Sequence, residues 1–202
     1  MRYEQLRQHN RLYVGELVAN HMIISVDSWL PLAHLTEDGR QALIDLKLSG
    51  EVIAGAFQNY SDGSFDILPI TSGTIALYAH NRVLEAARDN DSLALALLNL
   101  IGSEELLLLS KLALLLQRQG LVRLAVFLLR IHDRLDRIGL VENGSFALPL
   151  NQQLIDSLIG LHEVHVSRLM NRLEGGAFIE RRGTRIPITS RDRLCNVGRK
   201  GD

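Results

Sequence analysis

Several residue types are scarce in this chain of 202 residues, and each scarcity excludes a class of protein. The single cysteine, Cys195, excludes an internal disulfide framework and any multi-cysteine zinc or iron–sulfur site. Aromatic residues make up 5% of the chain, so the core must be mainly aliphatic. The longest uncharged stretch, Ile67–Asn81, has 15 residues interrupted by Pro69 and Gly73, which is too short to span a bilayer. Because Met1–Asn10 contains no apolar run typical of a secretory signal, we expect a cytoplasmic protein without a membrane segment.

Charge is distributed unevenly along the chain. Hydrophobic residues make up 47% and charged residues 22%, as in ordinary globular proteins, and the net charge is −1. Residues 1–80 hold 5 basic and 9 acidic side chains, residues 81–150 hold 8 of each, and residues 151–202 hold 9 basic and 6 acidic. A polyanionic partner is therefore expected to meet the last third of the chain.

Residues 1–81 have the pattern of a small β domain. Short apolar or alternating runs recur at intervals of about ten residues between turn signals, which favours a β-sandwich or barrel over βαβ units. The runs are Leu12–Val14, Met22–Ile24, Ala42–Leu48, Val52–Ile53 and Thr74–Tyr78. Asp38-Gly39 is typical of a hairpin turn that needs a positive φ.

Residues 82–120 have a helical period. A short helix over Val83–Asp89 precedes a leucine-rich helix over Asp91–Gln119, which Gly102-Ser103 either kinks or restarts with Ser103 as N-cap. Because leucines follow two adjacent stripes, this helix must pack on two partners at once. It is either a buried core helix or a helix that also pairs with its copy in a homodimer. The residues predicted for dimerisation are Leu97, Leu98, Ile101, Leu108, Leu112 and Leu115.

Residues 121–202 predict a winged helix-turn-helix. A helix that follows Gly120 ends near Gly139, and Leu140–Leu148 forms a loop with a strand and an Asn143-Gly144 turn. Asn151 is a good N-cap for a helix to Ile159, and Gly160 supplies a left-handed turn. A second helix over Glu163–Glu174 stops at Gly175-Gly176. Two short strands, Phe178–Ile179 and Arg185–Ile188, then flank Arg182-Gly183.

The second helix of this motif carries polar, donor-rich side chains near its N-terminus. A helix that enters the major groove of DNA needs such side chains on its outward face, and basic residues in the hairpin can reach phosphates. The candidates on or near this face are His162, Glu163, His165, Ser167, Arg168 and Arg172, and those in the hairpin are Arg181, Arg182 and Arg185.

The sequence from Gly39 to Leu194 resembles the Crp/Fnr family of bacterial transcription regulators. The resemblance is strongest in Leu148–Gln153, Val164–Arg168, Arg172–Glu174 and Phe178–Arg182, and it is weaker in the Asp38–Arg40 and Ser49–Gly55 segments. It implies an α+β protein with an N-terminal β-roll (jelly-roll-like) sensor domain, a long dimerisation helix and a C-terminal winged helix-turn-helix. The sequence begins later than most relatives, which suggests that the first β-roll strands are missing.

The resemblance also assigns roles to single residues. Arg168 falls on the arginine that contacts a guanine or an adjacent phosphate, beside the DNA-facing His165 and Ser167. Asn151 and Gln153 match phosphate-contacting positions. Three positions depart from the family pattern, namely Val164 for a base-reading glutamate, His162 for a Ser/Thr cap, and Asp156 for Ala or Gly. The half-site should therefore differ from that of the best-known members, and Asp156 either tilts the second helix or points outward.

The sensor domain lacks the residues that bind cyclic nucleotides in relatives. Ala56 follows Gly55 where the ribose-binding glutamate is expected, and Ser61–Gly73 contains no arginine or lysine to neutralise a phosphate. We expect no cAMP or cGMP binding in that mode, no metal and no cofactor. His21, His34 and His80 are the candidate axial ligands if haem binds.

The sequence therefore predicts a homodimeric regulator that binds double-stranded DNA at a pseudo-palindromic site, without dependence on cAMP. RNA polymerase is a candidate further partner. The alternative is a protein-interaction module or ligand sensor whose winged helix no longer binds DNA. We expect no enzymatic activity, because no nucleophile elbow, phosphate loop or metal spacing surrounds Asp66, Ser72 and His80.

Overall fold

The structure is a computed structural model that describes residues 1–8, 12–13, 20–35, 41–53, 65–161 and 163–200. It divides into two compact units, Met1–Ser110 and Lys111–Asp202. The Asp38-Gly39 turn, Gly55, Ala56 and residues 61–64 of the expected ligand region lie outside the described residues.

The N-terminal unit contains two antiparallel four-stranded sheets. The strands are β1 (Arg2–Leu6), β2 (Leu12–Tyr13), β3 (His21–Ser25), β4 (Leu30–Leu35), β5 (Gln41–Lys47), β6 (Val52–Ile53), β7 (Phe65–Ile67) and β8 (Gly73–Ala79). One sheet has the order β1-β8-β3-β6 and the other β2-β7-β4-β5. Inward side chains of both sheets form one buried cluster, which includes Ile23 and Ile75 from the first sheet and Leu30 and Ile67 from the second. The expected β domain is confirmed.

Five of these strands coincide with the predicted apolar runs, but β1, β4 and β7 were not predicted. Their local signals are weak, because β1 is mostly polar, β4 contains Pro31 and β7 contains Asp66. Each strand is specified by its partner. β1 pairs along its whole length with β8, and the carbonyl of Pro31 accepts a hydrogen bond from the Leu68 amide at 3.0 Å.

Two helices follow the sheets, α1 (His80–Arg88) and α2 (Asp91–Leu115). Helix α2 is continuous through Gly102-Ser103, because the Ser103 hydroxyl donates to the Asn99 carbonyl at 2.8 Å and does not cap a new helix. With 25 residues it is about 37 Å long. It ends four residues before the predicted Gln119, which instead adopts an extended conformation (φ −88°, ψ 121°) and precedes the next helix.

One face of α2 is partly buried and the other is exposed and apolar. Leu93, Leu97, Leu100 and Leu107 lie on the partly buried face, whereas Leu98, Ile101, Leu108 and Leu112 are 51–66% exposed.

Within the described ranges, α2 is also the one helix that is long and apolar enough, by length and composition alone, to cross a membrane. Two adjacent carboxylates, Glu104 and Glu105, lie at its midpoint, where each acidic side chain costs several kcal/mol in a bilayer. Glu104 also forms an ion pair with Lys47 of β5, so α2 belongs with the β domain and not with a bilayer.

The second unit is organised around α3 (Gly120–Asp136), in which Leu124, Leu128 and Ile131 are almost fully buried. The other elements are β9 (Ser145–Ala147), α4 (Gln152–Ile159), α5 (Glu163–Gly175), β10 (Arg185–Pro187) and α6 (Arg191–Lys200). The predicted end of α3 and the following turn are confirmed by the positive φ of Gly139, Asn143 and Gly144. Helix α6, which was not predicted, packs on α3 through buried Leu194 and Val197. The expected α+β class is confirmed.

Candidate nucleic-acid interface

The first helix of the helix-turn-helix has the predicted boundaries. Asn151 is the N-cap of α4, and its Oδ1 accepts a hydrogen bond from the Leu154 amide at 2.8 Å. The helix ends at Gly160, whose φ of 64° and ψ of 47° are in the left-handed region that favours glycine. Ile155 and Ile159 are buried below the turn. Local sequence signals therefore set the geometry from which α5 begins.

For Asp156 the sequence left open a tilt of the second helix or a side chain that simply points outward, and the structure bears on the second outcome. One of its carboxylate oxygens, Oδ1, is buried and has no hydrogen-bond partner among the described residues. The side chain therefore does not simply point outward. Its main-chain carbonyl still accepts from the Leu161 amide at 3.1 Å, so the turn is closed as expected.

Helix α5 buries one side and exposes the other. Val166, Met170 and Leu173 are 0–5% exposed and pack toward α3 and α4. His165, Arg168 and Arg172 are exposed and lie three or four residues apart, which places them on one face. Ser167 is half-buried. His162 and the side chains of Glu163 and Val164 lie outside the described residues.

The guanidinium of Arg168 is available for an external partner. Its side chain is exposed, and no residue in the described part of the chain forms a hydrogen bond or ion pair with it. Gln153 is similarly exposed on the first turn of α4, next to the Asn151 cap. Exposed donors from both helices therefore surround the turn.

The wing is built differently from the predicted hairpin. Phe178–Ile179 does not form a strand; Ile179 makes one isolated bridge to Ile188, and Arg182 makes another to Arg185. The continuous partner of β10 is β9, with Ile186 opposite Phe146. Both of these side chains are at most 3% exposed. Burial of this pair explains why a segment 40 residues earlier joins the wing.

Arg181 is held against the C-terminal end of α5. Its Nε lies 2.9 Å from Glu174 Oε2, and its Nη2 lies 2.6 Å from Asn171 Oδ1. Its main-chain amide donates to Glu174 Oε1 at 3.1 Å. Hydrogen bonds from Arg181 lower the pKa of Glu174, so this carboxylate is charged at neutral pH. With a further bond from Arg181 Nη2 to Glu174 Oε2, four polar contacts connect the wing to α5.

The other two predicted wing arginines, Arg182 and Arg185, do not bond to α5 in the way that Arg181 does. Arg182 is 71% exposed and pairs with the neighbouring Glu180 at 2.9 Å from its Nε. Arg185 donates from Nη2 to the Ser145 carbonyl at 3.1 Å and to Glu142 at 3.3 Å, which connects β10 to β9. The three arginines that the sequence grouped together therefore do not occupy equivalent positions.

Two arginines near this surface were not predicted as functional. Arg193 of α6 lies over the Phe178 ring, 4.7 Å from its centroid, and donates to the Gly176 carbonyl at 3.1 Å. Arg123 of α3 donates to the carbonyl of Gly160 in the helix-turn-helix turn at 2.6 Å. Neither has a sequence signal, since the partners named here lie 15 to 37 residues away.

The family model for the Crp-like helix-turn-helix domain matches residues 122–197. The C-terminal domain of this protein is a Crp-like helix-turn-helix domain. The match extends from α3 through the wing to α6, so it includes both unpredicted arginines. The resemblance to Crp/Fnr regulators expected from the sequence is thereby confirmed.

Solved structures extend the similarity to the whole fold. FixK2 from Bradyrhizobium japonicum has a TM-score of 0.82 and 22% identity, with 96% of each chain covered. A CooA variant from Carboxydothermus hydrogenoformans has a TM-score of 0.74 and 18% identity, covering 98% of this chain and 87% of CooA. A CRP-family transcriptional regulator from Thermus thermophilus has a TM-score of 0.69 and 13% identity, covering 98% of this chain and 97% of that regulator. No curated protein matches the sequence significantly. The β domain, long helix and winged helix-turn-helix thus form a Crp/Fnr-type fold.

Proposed function

We propose that this protein is a homodimeric, sequence-specific DNA-binding transcription regulator that acts on a pseudo-palindromic site without cAMP. The observation that carries the proposal is the guanidinium of Arg168, which is exposed on the outward face of α5 and has no partner among the described residues, within a Crp-like helix-turn-helix domain. Regulators of this family bind DNA and act as dimers. Arginine recognises guanine through two parallel hydrogen bonds in the major groove, and this needs a guanidinium that is not already paired.

The remaining DNA contacts are proposed on both sides of Arg168. On the N-terminal side of the turn, Gln153 and Asn151 are exposed, and the Oδ1 atom of Asn151 caps α4. Both residues are proposed to contact phosphates, Asn151 through its side-chain amide nitrogen. The further proposed contacts are His162, which precedes α5 in the sequence, Glu163, His165, Ser167 and Arg172 on α5, and Arg182 and Arg185 in the wing. We assign Arg181 to orientation of the wing, because two side chains of α5, Glu174 and Asn171, hold its guanidinium against that helix.

The second copy is proposed to cover the exposed face of α2. Leu98, Ile101, Leu108 and Leu112 are 51–66% exposed along this face, and a contiguous apolar surface of this kind marks an interaction site. Leu97 is partly buried on the opposite face, and Leu115 lies near the helix-turn-helix turn, so these two predicted dimer residues are the weakest members of the set. Pairing through α2 would present two copies of α5 to half-sites about 34 Å apart.

Independence from cAMP is proposed from the sequence of the ligand region. Ala56 replaces the expected glutamate, and residues 61–73 provide no cation for a phosphate. Titration of the full chain with cAMP in a calorimeter should show no binding, and binding in the micromolar range would contradict this part of the proposal.

The test of the proposed function is selection of DNA fragments by the purified full chain from a random library at moderate salt. We expect a two-fold symmetric motif, and we expect Leu112→Asp to give monomers in sedimentation experiments and to abolish the symmetry. Ser103→Asp, on an exposed polar position of the same helix, is the matched control. A dimer that enriches no motif would refute the proposal and favour the alternative of a protein-interaction module.

A further inference from the structure

The side chain of Arg123 connects two segments that are far apart in the sequence. Its Nε donates to the Gln117 carbonyl at 2.8 Å, in the short segment between α2 and α3. Its Nη1 donates to the Ile159 carbonyl at 3.1 Å and to the Gly160 carbonyl at 2.6 Å, at the end of α4 and in the turn before α5. One guanidinium therefore bonds to three main-chain carbonyls from both segments.

These carbonyls are good partners for a cation. The last carbonyls of a helix have no partner within the helix, and they carry the negative end of the helix dipole. Ile159 ends α4, and Gly160 follows it in the left-handed conformation. Because the guanidinium is a rigid planar group, bonds to both segments fix the distance and the direction between them.

Packing around Arg123 is tight at two glycines. A Cβ placed on Gly160 would lie 3.2 Å from Leu115 Cδ2 and 3.5 Å from Arg123 Nη1. A Cβ placed on Gly120 would lie 3.0 Å from Leu169 Cδ1 of α5. Leu115, the last residue of α2, therefore packs closely against the turn, and Gly120, the first residue of α3, packs closely against α5.

We infer that Arg123 is a positioning residue for DNA binding, which fixes the direction of α5 relative to the C-terminal end of α2. This inference rests on the proposed function, since it concerns how a dimer matches two half-sites. Arg123 does not lie on the exposed face of α5, and its side chain is bonded to main-chain carbonyls, so it is not assigned a DNA contact. Its loss should leave base preference within a half-site intact and should weaken the preference for one spacing between half-sites.

The experiment measures the affinity of the full chain for operators in which the half-site spacing is native or is changed by one or two base pairs. We define the spacing ratio as the affinity for the operator with native spacing divided by the affinity for an operator with altered spacing. This ratio should fall about tenfold in Arg123→Gln, which corresponds to about 1.4 kcal/mol. Arg123→Lys keeps the charge without the planar fork and should give an intermediate ratio. The matched control is Arg118→Gln, an equal loss of charge at an exposed position in the same connecting segment, and it should keep the ratio of the unsubstituted chain.

The outcomes separate this inference from the proposed function. If the unsubstituted chain enriches no DNA motif, the proposed function is refuted. If it enriches a motif and both Arg123 variants keep its spacing ratio, the positioning role alone is refuted. If Arg123→Gln loses all base preference because the domain does not fold, the spacing ratio of Arg123→Lys tests the positioning role instead. An unchanged ratio in that variant overturns the inference, and a reduced ratio with intact base preference supports it.

Discussion

Replacement of Lys47 by methionine should destabilise the N-terminal unit. Lys47 ends β5 and is 4% exposed, and its Nζ lies 3.1 Å from an Asp45 carboxylate oxygen and forms a second ion pair with Glu104 of α2. Burial by itself lowers the pKa of this ammonium group, but attraction by Asp45 and Glu104 outweighs burial and raises the pKa. Lys47→Met keeps most of the side-chain volume and leaves both carboxylates without their shared cation.

The expected loss is about 2 kcal/mol in the free energy of unfolding. Removing one partner of a fully buried ion pair costs about 3–5 kcal/mol. The side chains of Asp45 and Glu104 are 38% and 30% exposed, so both recover part of their hydration and the cost falls below that range. Trp29, the single tryptophan, is 6% exposed in the same unit, so its fluorescence follows unfolding of this unit. In urea the midpoint should fall by about 1 M for a slope of about 2 kcal/mol/M.

The matched control is an exposed ion pair of the same unit. Arg82 and Glu85 are 3.2 Å apart, with side chains that are 79% and 56% exposed, so Arg82→Met should change the stability by less than about 0.5 kcal/mol. Equal midpoints for Lys47→Met and Arg82→Met would show that the buried pair contributes nothing beyond a surface pair.

Since the pKa of Lys47 is raised in the folded state, its contribution to stability is complete below the unfolded lysine pKa of about 10.4. The contribution should disappear only as the pH rises through the higher folded value, so the difference between the unsubstituted chain and Lys47→Met should be constant from neutral pH to pH ~9.

Two further predictions concern DNA binding. Arg168→Ala should weaken specific binding by about 1–3 kcal/mol and relax one base position in each half-site, as measured by repeating the selection; an unchanged motif would remove Arg168 from base recognition. Arg182→Ala should reduce the slope of log affinity against log salt by about 0.9 for each phosphate that the variant no longer neutralises. Arg181→Ala should lower the affinity but leave this slope unchanged, because Arg181 is bonded to Glu174 and Asn171. Equal reductions of the slope in both variants would assign Arg181 to the phosphates after all.

The helix-turn-helix could be predicted from sequence because its signals are local. Asn151 caps a helix through an amide three residues away, Gly160 is suited to a left-handed turn by lacking a Cβ, and the apolar residues of α5 recur at helical spacing. Each of these effects acts within one or two helical turns. The leucine pattern likewise predicted a long helix with two apolar stripes, and about half of that surface is exposed in the structure.

The pairing of side chains and strands was decided by the tertiary structure. Strands β1, β4 and β7 have weak patterns of their own and form because neighbouring strands bond to them, and β9 joins the wing because Phe146 and Ile186 bury each other. Sequence composition marked Arg168, Arg181 and Arg182 alike as basic residues near DNA. Only the fold distinguishes them. The guanidinium of Arg168 has no partner among the described residues, the side chain of Arg182 is 71% exposed beside Glu180, and the guanidinium of Arg181 is held by Glu174 and Asn171 of α5. The partners of Arg181 lie seven and ten residues away, so they depend on tertiary contacts that no local pattern encodes.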